Sequence, residues 1–216
     1  MLKSKFFLLI VLLLSTSQII AQDSGWRFGA GISLHGGSSA NGDMVVTQLS
    51  NGAQLGKGDI EFETKAGPSL SFEARHSNAN SWGFGAGVQV GTKVKFKKLK
   101  MKLNGTTTEM QLEGEDKLQE TSIYANAIYR WNSFYLPFGL NYTALSYSPK
   151  DPNFTIDGGI GLQLGFGFWL TNNFTIDVMV KASSLELTSK DTTDDIQVKM
   201  EEAAIANLAL GVKYFF

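Results

Sequence analysis

The sequence predicts an all-β chain folded as a transmembrane up-and-down antiparallel β-barrel, closed, with eight strands. Three observations predict it. Apolar and polar residues alternate through eight segments, one face of every segment lacks charge, and the connections are alternately short and long. Alternation at period 2 marks strands. Short turns on one side and long loops on the other mark an up-and-down barrel in a membrane.

Residues 1–21 read as a secretory signal peptide. Lys3 and Lys5 form the charged head, residues 6–14 are an unbroken apolar run, and residues 15–21 are a polar-to-small exit. The apolar run is too short to span a bilayer. Residues 22–216 then make one barrel domain. With Lys3 and Lys5 removed, the formal charge of −1 becomes about −3. That near balance gives no reason to expect nucleic acid as a partner. Zero Cys excludes disulfides and thiolate metal sites. Gly 23 against Pro 4 suits many strands rather than disorder.

The alternating segments are residues 26–35, 60–75, 82–96, 120–131, 134–145, 159–170, 174–181 and 203–216. Short turns follow the second, fourth and sixth, and long connections follow the others. With the chain starting in the periplasm, the long loops lie outside the cell.

Sorted by parity, one face carries no Asp, Glu, Lys or Arg in any segment. It includes Trp26, Phe28, Ile32, Phe62, Phe72, Phe84, Val94, Phe96, Leu162 and Phe166. The opposite face carries Arg27, Glu61, Glu63, Glu73, Arg75, Lys93, Lys95, Arg130, Asp177 and Lys213, interleaved with glycines such as Gly29, Gly85, Gly87, Gly161 and Gly167. A soluble barrel would put the apolar face inside. A water-facing surface, however, has no need of glycine at every second position, whereas the cramped lumen of eight strands does. The uncharged face therefore meets outer-membrane lipid, and the ten charged residues form a lumenal salt-bridge network or gate. In the lower lumen Asp177 lies close to Lys213. Higher up, Glu61 and Glu63 are expected opposite Lys93 and Lys95.

Trp26, Trp82, Trp131 and Trp169 all fall at the periplasmic end, as an interfacial girdle should, with Trp169 alone pointing inward. The last segment alternates through Leu208, Leu210, Val212, Tyr214 and Phe216. Such a strand, ending in Phe, resembles the assembly signal of bacterial outer-membrane barrels, which implies the barrel-assembly machinery as a partner.

Between the third and fourth segments, a lysine-rich arm and an acidic arm flank Asn104-Gly105, a hairpin signal. The turn sets Lys100 opposite Glu109 and Leu99 opposite Met110. This is an extracellular ribbon whose lysines are also suited to lipopolysaccharide phosphates. His35 and His76 have no Ser and carboxylate at a recognisable spacing, so no enzyme is expected. Asp191, Asp194 and Asp195 make a solvated acidic loop. No metal and no cofactor is implied.

Tyr135, Gly139, Asn141 and Tyr142 resemble a strand of the OmpW family of small outer-membrane barrels. Gly159, Gly161, Gly165 and Gly167, followed by Leu170, Asn172, Phe174 and Asp177, resemble its next hairpin. The first four segments match by architecture alone and suit OmpA-like eight-stranded barrels equally. The OmpW resemblance implies an apolar pocket at the extracellular side and passage of small hydrophobic molecules. Two functions follow as expectations. One is a passive conduit for small hydrophobic or amphipathic solutes, plugged below by charged side chains and open sideways at the glycine-rich third or sixth segment. The other is a non-conducting structural or adhesive barrel of the OmpA and OmpX kind, whose loops bind partners.

Overall fold

A computed structural model describes residues 25–78, 81–110, 116–148 and 152–216. The expected signal peptide lies outside them. The chain forms β1 (Gly25–Gln48), β2 (Gln54–Thr64), β3 (Gly67–Ser77), β4 (Trp82–Gly91), β5 (Val94–Leu103), β6 (Thr106–Met110), β7 (Lys117–Trp131), β8 (Phe134–Ser148), β9 (Phe154–Trp169), β10 (Phe174–Asp191) and β11 (Ile196–Phe215). Eight of these close a ring in the order β1, β3, β4, β7, β8, β9, β10, β11, and β11 returns to pair with β1. Closure leaves the ring no open edge. In a bilayer that is obligatory, because hydrocarbon offers backbone amides no partner.

The second predicted segment is β2 and β3 together. β3 pairs with the lower part of β1, from Gly25↔Ser77 to His35↔Gly67, and β2 with its upper part, from Ser39↔Glu63 to Thr47↔Gln54. The third predicted segment is divided in the same way into β4 and β5. Outside the membrane the strands run further than expected. β1 continues to Gln48, β10 to Asp191, and β11 starts at Ile196, so sheet replaces much of the predicted long loops. Asn104 and Gly105 both adopt positive φ (49° and 84°), as a two-residue hairpin turn demands. The turn fixes the expected register, Lys100↔Glu109 and Leu99↔Met110.

Around the lower ring the uncharged face points outward. Trp26, Phe28, Ile32, Phe72, Phe84, Leu162 and Phe166 are exposed, and so are Leu208, Leu210, Val212, Tyr214 and Phe216 of the closing strand. Trp82 and Trp131 are exposed in the same girdle, whereas Trp169 is buried in the lumen as its parity predicts.

Above this belt the inside and outside faces exchange in part of the ring, while β7, β8 and β10 keep their parity. One extra residue enters β1 at Gly36-Gly37, β9 near Gly158-Gly159 and β11 at Glu201-Glu202, each seen as a register shift. The breaks at Lys65-Ala66 and Thr92-Lys93 do the same, since both residues of each pair are exposed. Because side chains alternate, a single inserted residue turns every later side chain to the opposite face. Phe62, Val94 and Phe96, expected on the lipid face, therefore point inward, and Phe62 is only 1% exposed. Glu61, Glu63, Lys93 and Lys95, expected in the lumen, stand on the outer surface. Their expected pairing is replaced by Glu61↔Lys100 and Glu63↔Lys98 on neighbouring strands. The native chain has no Cys, so single cysteines report this inversion cleanly. A cysteine replacing Glu63 or Lys95 should react with a bulky impermeant maleimide on whole cells, and one replacing Phe62 should stay protected. The opposite pattern would restore the uninterrupted parity.

Candidate transport lumen

The lumen is built in three layers. At the short-turn end, which is periplasmic in barrels of this class, β3 supplies Glu73 and Arg75, β10 supplies Asp177 and β11 supplies Lys213. Arg75 Nη2 lies 2.9 Å from Glu73 Oε1, and Lys213 Nζ lies 2.8 Å from Glu73 Oε2 and 3.0 Å from Asp177 Oδ2. Tyr124 donates to Glu73 (3.2 Å) and Tyr135 to Asp177 (3.1 Å). Two cations and two carboxylates thus form one chain, and each carboxylate also accepts from a phenol. Buried charge is tolerable on those terms.

Beneath these three ion bridges the Arg75 guanidinium stacks on the rings of Tyr135 (4.4 Å), Phe215 (4.7 Å) and Trp169 (5.7 Å). Arg27 lies 5.3 Å from the Trp169 ring and donates to the Asn172 carbonyl at 2.6 Å. Arg130 stands half-buried at the same end of β7. Glycine makes room for these side chains. A Cβ on Gly167 would lie 2.1 Å from Tyr135 Cζ, and one on Gly87 would lie 2.6 Å from the Tyr124 hydroxyl. The sequence-predicted residues Arg27, Glu73, Arg75, Arg130, Asp177 and Lys213 are therefore brought to one end of the lumen, while Glu61, Glu63, Lys93 and Lys95 are not.

The middle layer is polar and largely uncharged. His35 Nε2 and Gln89 Nε2 each lie 2.8 Å from the Ser69 hydroxyl, and the buried Lys181 ammonium donates to Gln89. Thr143 bridges Ser122 (3.1 Å) and Ser183 (2.9 Å), and Gln163 donates to Asn126 at 2.7 Å. At the top of this layer Glu120 accepts from Ser38 and from Asn207 Nδ2 (2.8 Å).

The upper layer is apolar. Met44, Ile60, Phe62, Phe96, Leu118, Ile156, Leu185, Leu187, Met200 and Ile205 are buried in one cluster, with Leu99, Met101, Tyr147 and Phe154 packed against it. Within it lies a cavity of about 340 Å³, lined by Phe62, Phe96, Leu99, Tyr147, Phe154, Leu187 and Val198 among others. Among the described residues its one carboxylate, Asp116, accepts from the Tyr147 hydroxyl at 2.5 Å. Parity carried unbroken from the lower barrel hid this chamber. Gly36-Gly37 and Gly158-Gly159 were the available signal, since paired glycines inside a strand mark bulges.

No protein-family model matches the sequence, and no curated relative matches it. Solved structures do match. The outer-membrane protein OprG from Pseudomonas aeruginosa aligns over 92% of this chain and 99% of its own, at 14% identity and a TM-score of 0.56. The chain has the fold of a bacterial outer-membrane β-barrel. OprG belongs to the OmpW-like group, and the common architecture is the one that the fifth to seventh segments suggested. Two further structures align more loosely. The outer-membrane protease OmpT from Escherichia coli has 11% identity, 94% and 100% coverage and a TM-score of 0.45. The attachment invasion locus protein Ail of Yersinia pestis has 15% identity, 90% and 100% coverage and a TM-score of 0.42.

Glu73 is the hub of the lower layer, because both Arg75 and Lys213 depend on it. Glu73→Gln should cost about 3–5 kcal/mol, the usual consequence of stranding a buried partner. Asp177→Asn should cost clearly less, since Lys213 keeps Glu73. Urea unfolding in phospholipid vesicles measures both, and equal losses would contradict the hub.

Proposed function

We propose that this outer-membrane barrel is a passive conduit for small hydrophobic or amphipathic solutes. The observation that carries the proposal is the apolar chamber of about 340 Å³ facing the loop end. An apolar, largely pre-formed cavity of a few hundred Å³ is the usual form of a small-molecule site. The lysines and glutamates that would have made this region polar stand on the outer surface.

Beneath the chamber the lumen is filled, first by the hydrogen-bonded middle layer and then by the ion-paired layer. A solute that enters from the loops therefore has its easiest exit through the wall. The favoured place is the seam between β8 and β9. Their ladder runs from Phe134↔Phe168 to Tyr142↔Ile160. Past that point Gly158 still lies beside the Thr143 carbonyl, and further up the rings of Tyr147 and Phe154, whose centroids are 4.5 Å apart, stand between the strands and line the chamber. The β9 bulge at Gly158-Gly159 lies at the foot of this seam, and Tyr142 and Ile160 mark it on the lipid side. Of the two glycine-rich segments expected to offer an exit, this favours the sixth. In the third, β4 is paired on both sides, with β3 from Ser69↔Gly91 to Ser77↔Gly83 and with β7 from Trp82↔Tyr129 to Val90↔Thr121.

Filling the chamber tests the proposal. Ser189→Trp and Val198→Trp each place an indole in the cavity from a different strand. Refolded wild-type protein should bind an apolar fluorescent naphthylamine and speed its entry into cells lacking the native gene. Each variant should lower both at least tenfold while keeping the heat-modifiable mobility of a folded barrel. Wild-type entry no faster than that of cells without the protein would favour the non-conducting, structural barrel.

A further inference from the structure

The parity inversion leaves a group of cations on the outer wall immediately above the lipid belt. Lys65 lies at the break between β2 and β3, Lys93 at the break between β4 and β5, and Lys95 two residues further along. The Lys65 amide donates to the Lys95 carbonyl at 2.8 Å, and Lys95 stands directly opposite Lys117 of β7. Lys65, Lys95 and Lys117 therefore form a row across three neighbouring strands, at the 4.7–4.9 Å spacing typical of sheets. Phe96 and Leu118, the next residues along, are buried inside, which fixes the row on the exterior.

Like charges directly opposite one another in a sheet repel. Elsewhere on this surface the chain supplies counter-charge: Lys97 pairs with Glu63 at 2.9 Å, whose carboxyl is held below its usual range by that contact, and Lys98 lies 3.7 Å from Glu109. For Lys65, Lys93, Lys95 and Lys117 no ion pair forms among the described residues. The side-chain contact of Lys93 is to the Ser148 hydroxyl, at 3.4 Å. Height points to an anion suited to this row. Val90 is the last outward apolar residue of β4, and Lys93 follows it by three positions, about 10 Å along the strand. Long lysine stems let the ammonium groups reach back toward the interface.

We propose that Lys65, Lys93, Lys95 and Lys117 form a binding surface for the phosphorylated glycolipid headgroup of the outer leaflet, the lipid A part of lipopolysaccharide. Each phosphate is shared by two or more ammonium groups, which removes the repulsion along the row. The surface is separate from the chamber and does not depend on solute passage.

The full-length barrel in detergent, titrated with bisphosphorylated lipid A and followed by native mass spectrometry, provides the test. Wild-type protein should bind this lipid at least tenfold more tightly than the same lipid stripped of its phosphates. Replacing Lys65, Lys93, Lys95 and Lys117 together by Gln should remove that preference. A control with Lys57, Lys102, Lys190 and Lys199 changed to Gln, which loses the same charge elsewhere on the exterior, should retain it. Heat-modifiable mobility checks folding, and the pair Lys65→Gln with Lys95→Gln replaces the fourfold variant if that fails to fold. The proposal is overturned if the first set binds as wild type, if the control loses as much, or if phosphatidylglycerol binds as tightly as bisphosphorylated lipid A.

Discussion

A closed wall of eight strands leaves an interior only about as wide as the side chains that fill it. Whatever faces inward at a given height is therefore what the lumen consists of at that height. In this chain the inward face changes character once. Below the change it is charged and hydrogen-bonded, around Glu73, Arg75, Asp177 and Lys213; above it is apolar, around Phe62, Phe96, Leu118 and Leu185. The filling of the lumen and the character of the outer surface both follow from where that change falls.

The change has a simple physical origin. A strand with one apolar face must show that face to lipid while it crosses the hydrocarbon, because charge there costs several kcal/mol. Once the strand leaves the membrane, the same face turned outward would be exposed to water. One inserted residue in β1, in β9 and in β11, with the breaks after β2 and β4, folds the apolar face inward at that height. The outer wall becomes charged and the upper lumen becomes apolar in one step. β7, β8 and β10 need no such inversion, because their inward residues change type instead. β10 runs from Asp177 and Lys181 to Leu185 and Leu187 on one face, and β8 from Asn141 and Thr143 to Leu145 and Tyr147.

Most of the lower barrel was legible in the sequence. The eight segments, the outward Trp26, Trp82 and Trp131, the inward Trp169 and the meeting of Asp177 with Lys213 follow from parity and from the short turns. So does the β5–β6 hairpin, because Asn104-Gly105 admits one register. Parity fails at Lys65-Ala66 and Thr92-Lys93, where both residues of each pair are exposed. Neither pair breaks the hydrophobic pattern, since Phe62 and Phe72, or Phe84 and Phe96, share a parity on both sides of the break. The inversion is visible only when the strands are paired and two adjacent residues are found outside. The partners of Glu73 were likewise beyond a linear pattern. Tyr124 reaches Glu73 from β7, while Tyr135 of β8 bonds Asp177 and the Phe215 ring of β11 lies against Arg75, distances in sequence that alternation does not encode.

The central claim is that the barrel is an apolar chamber closed from below by an ion-paired plug, and single-channel recording in planar bilayers tests it most directly. Wild-type protein should show no steady ion conductance. Removing the plug by changing Glu73, Arg75 and Lys213 together to Ala should open a small, steady, water-filled one. A large and steady conductance in the wild type, unchanged by that substitution, would contradict the account.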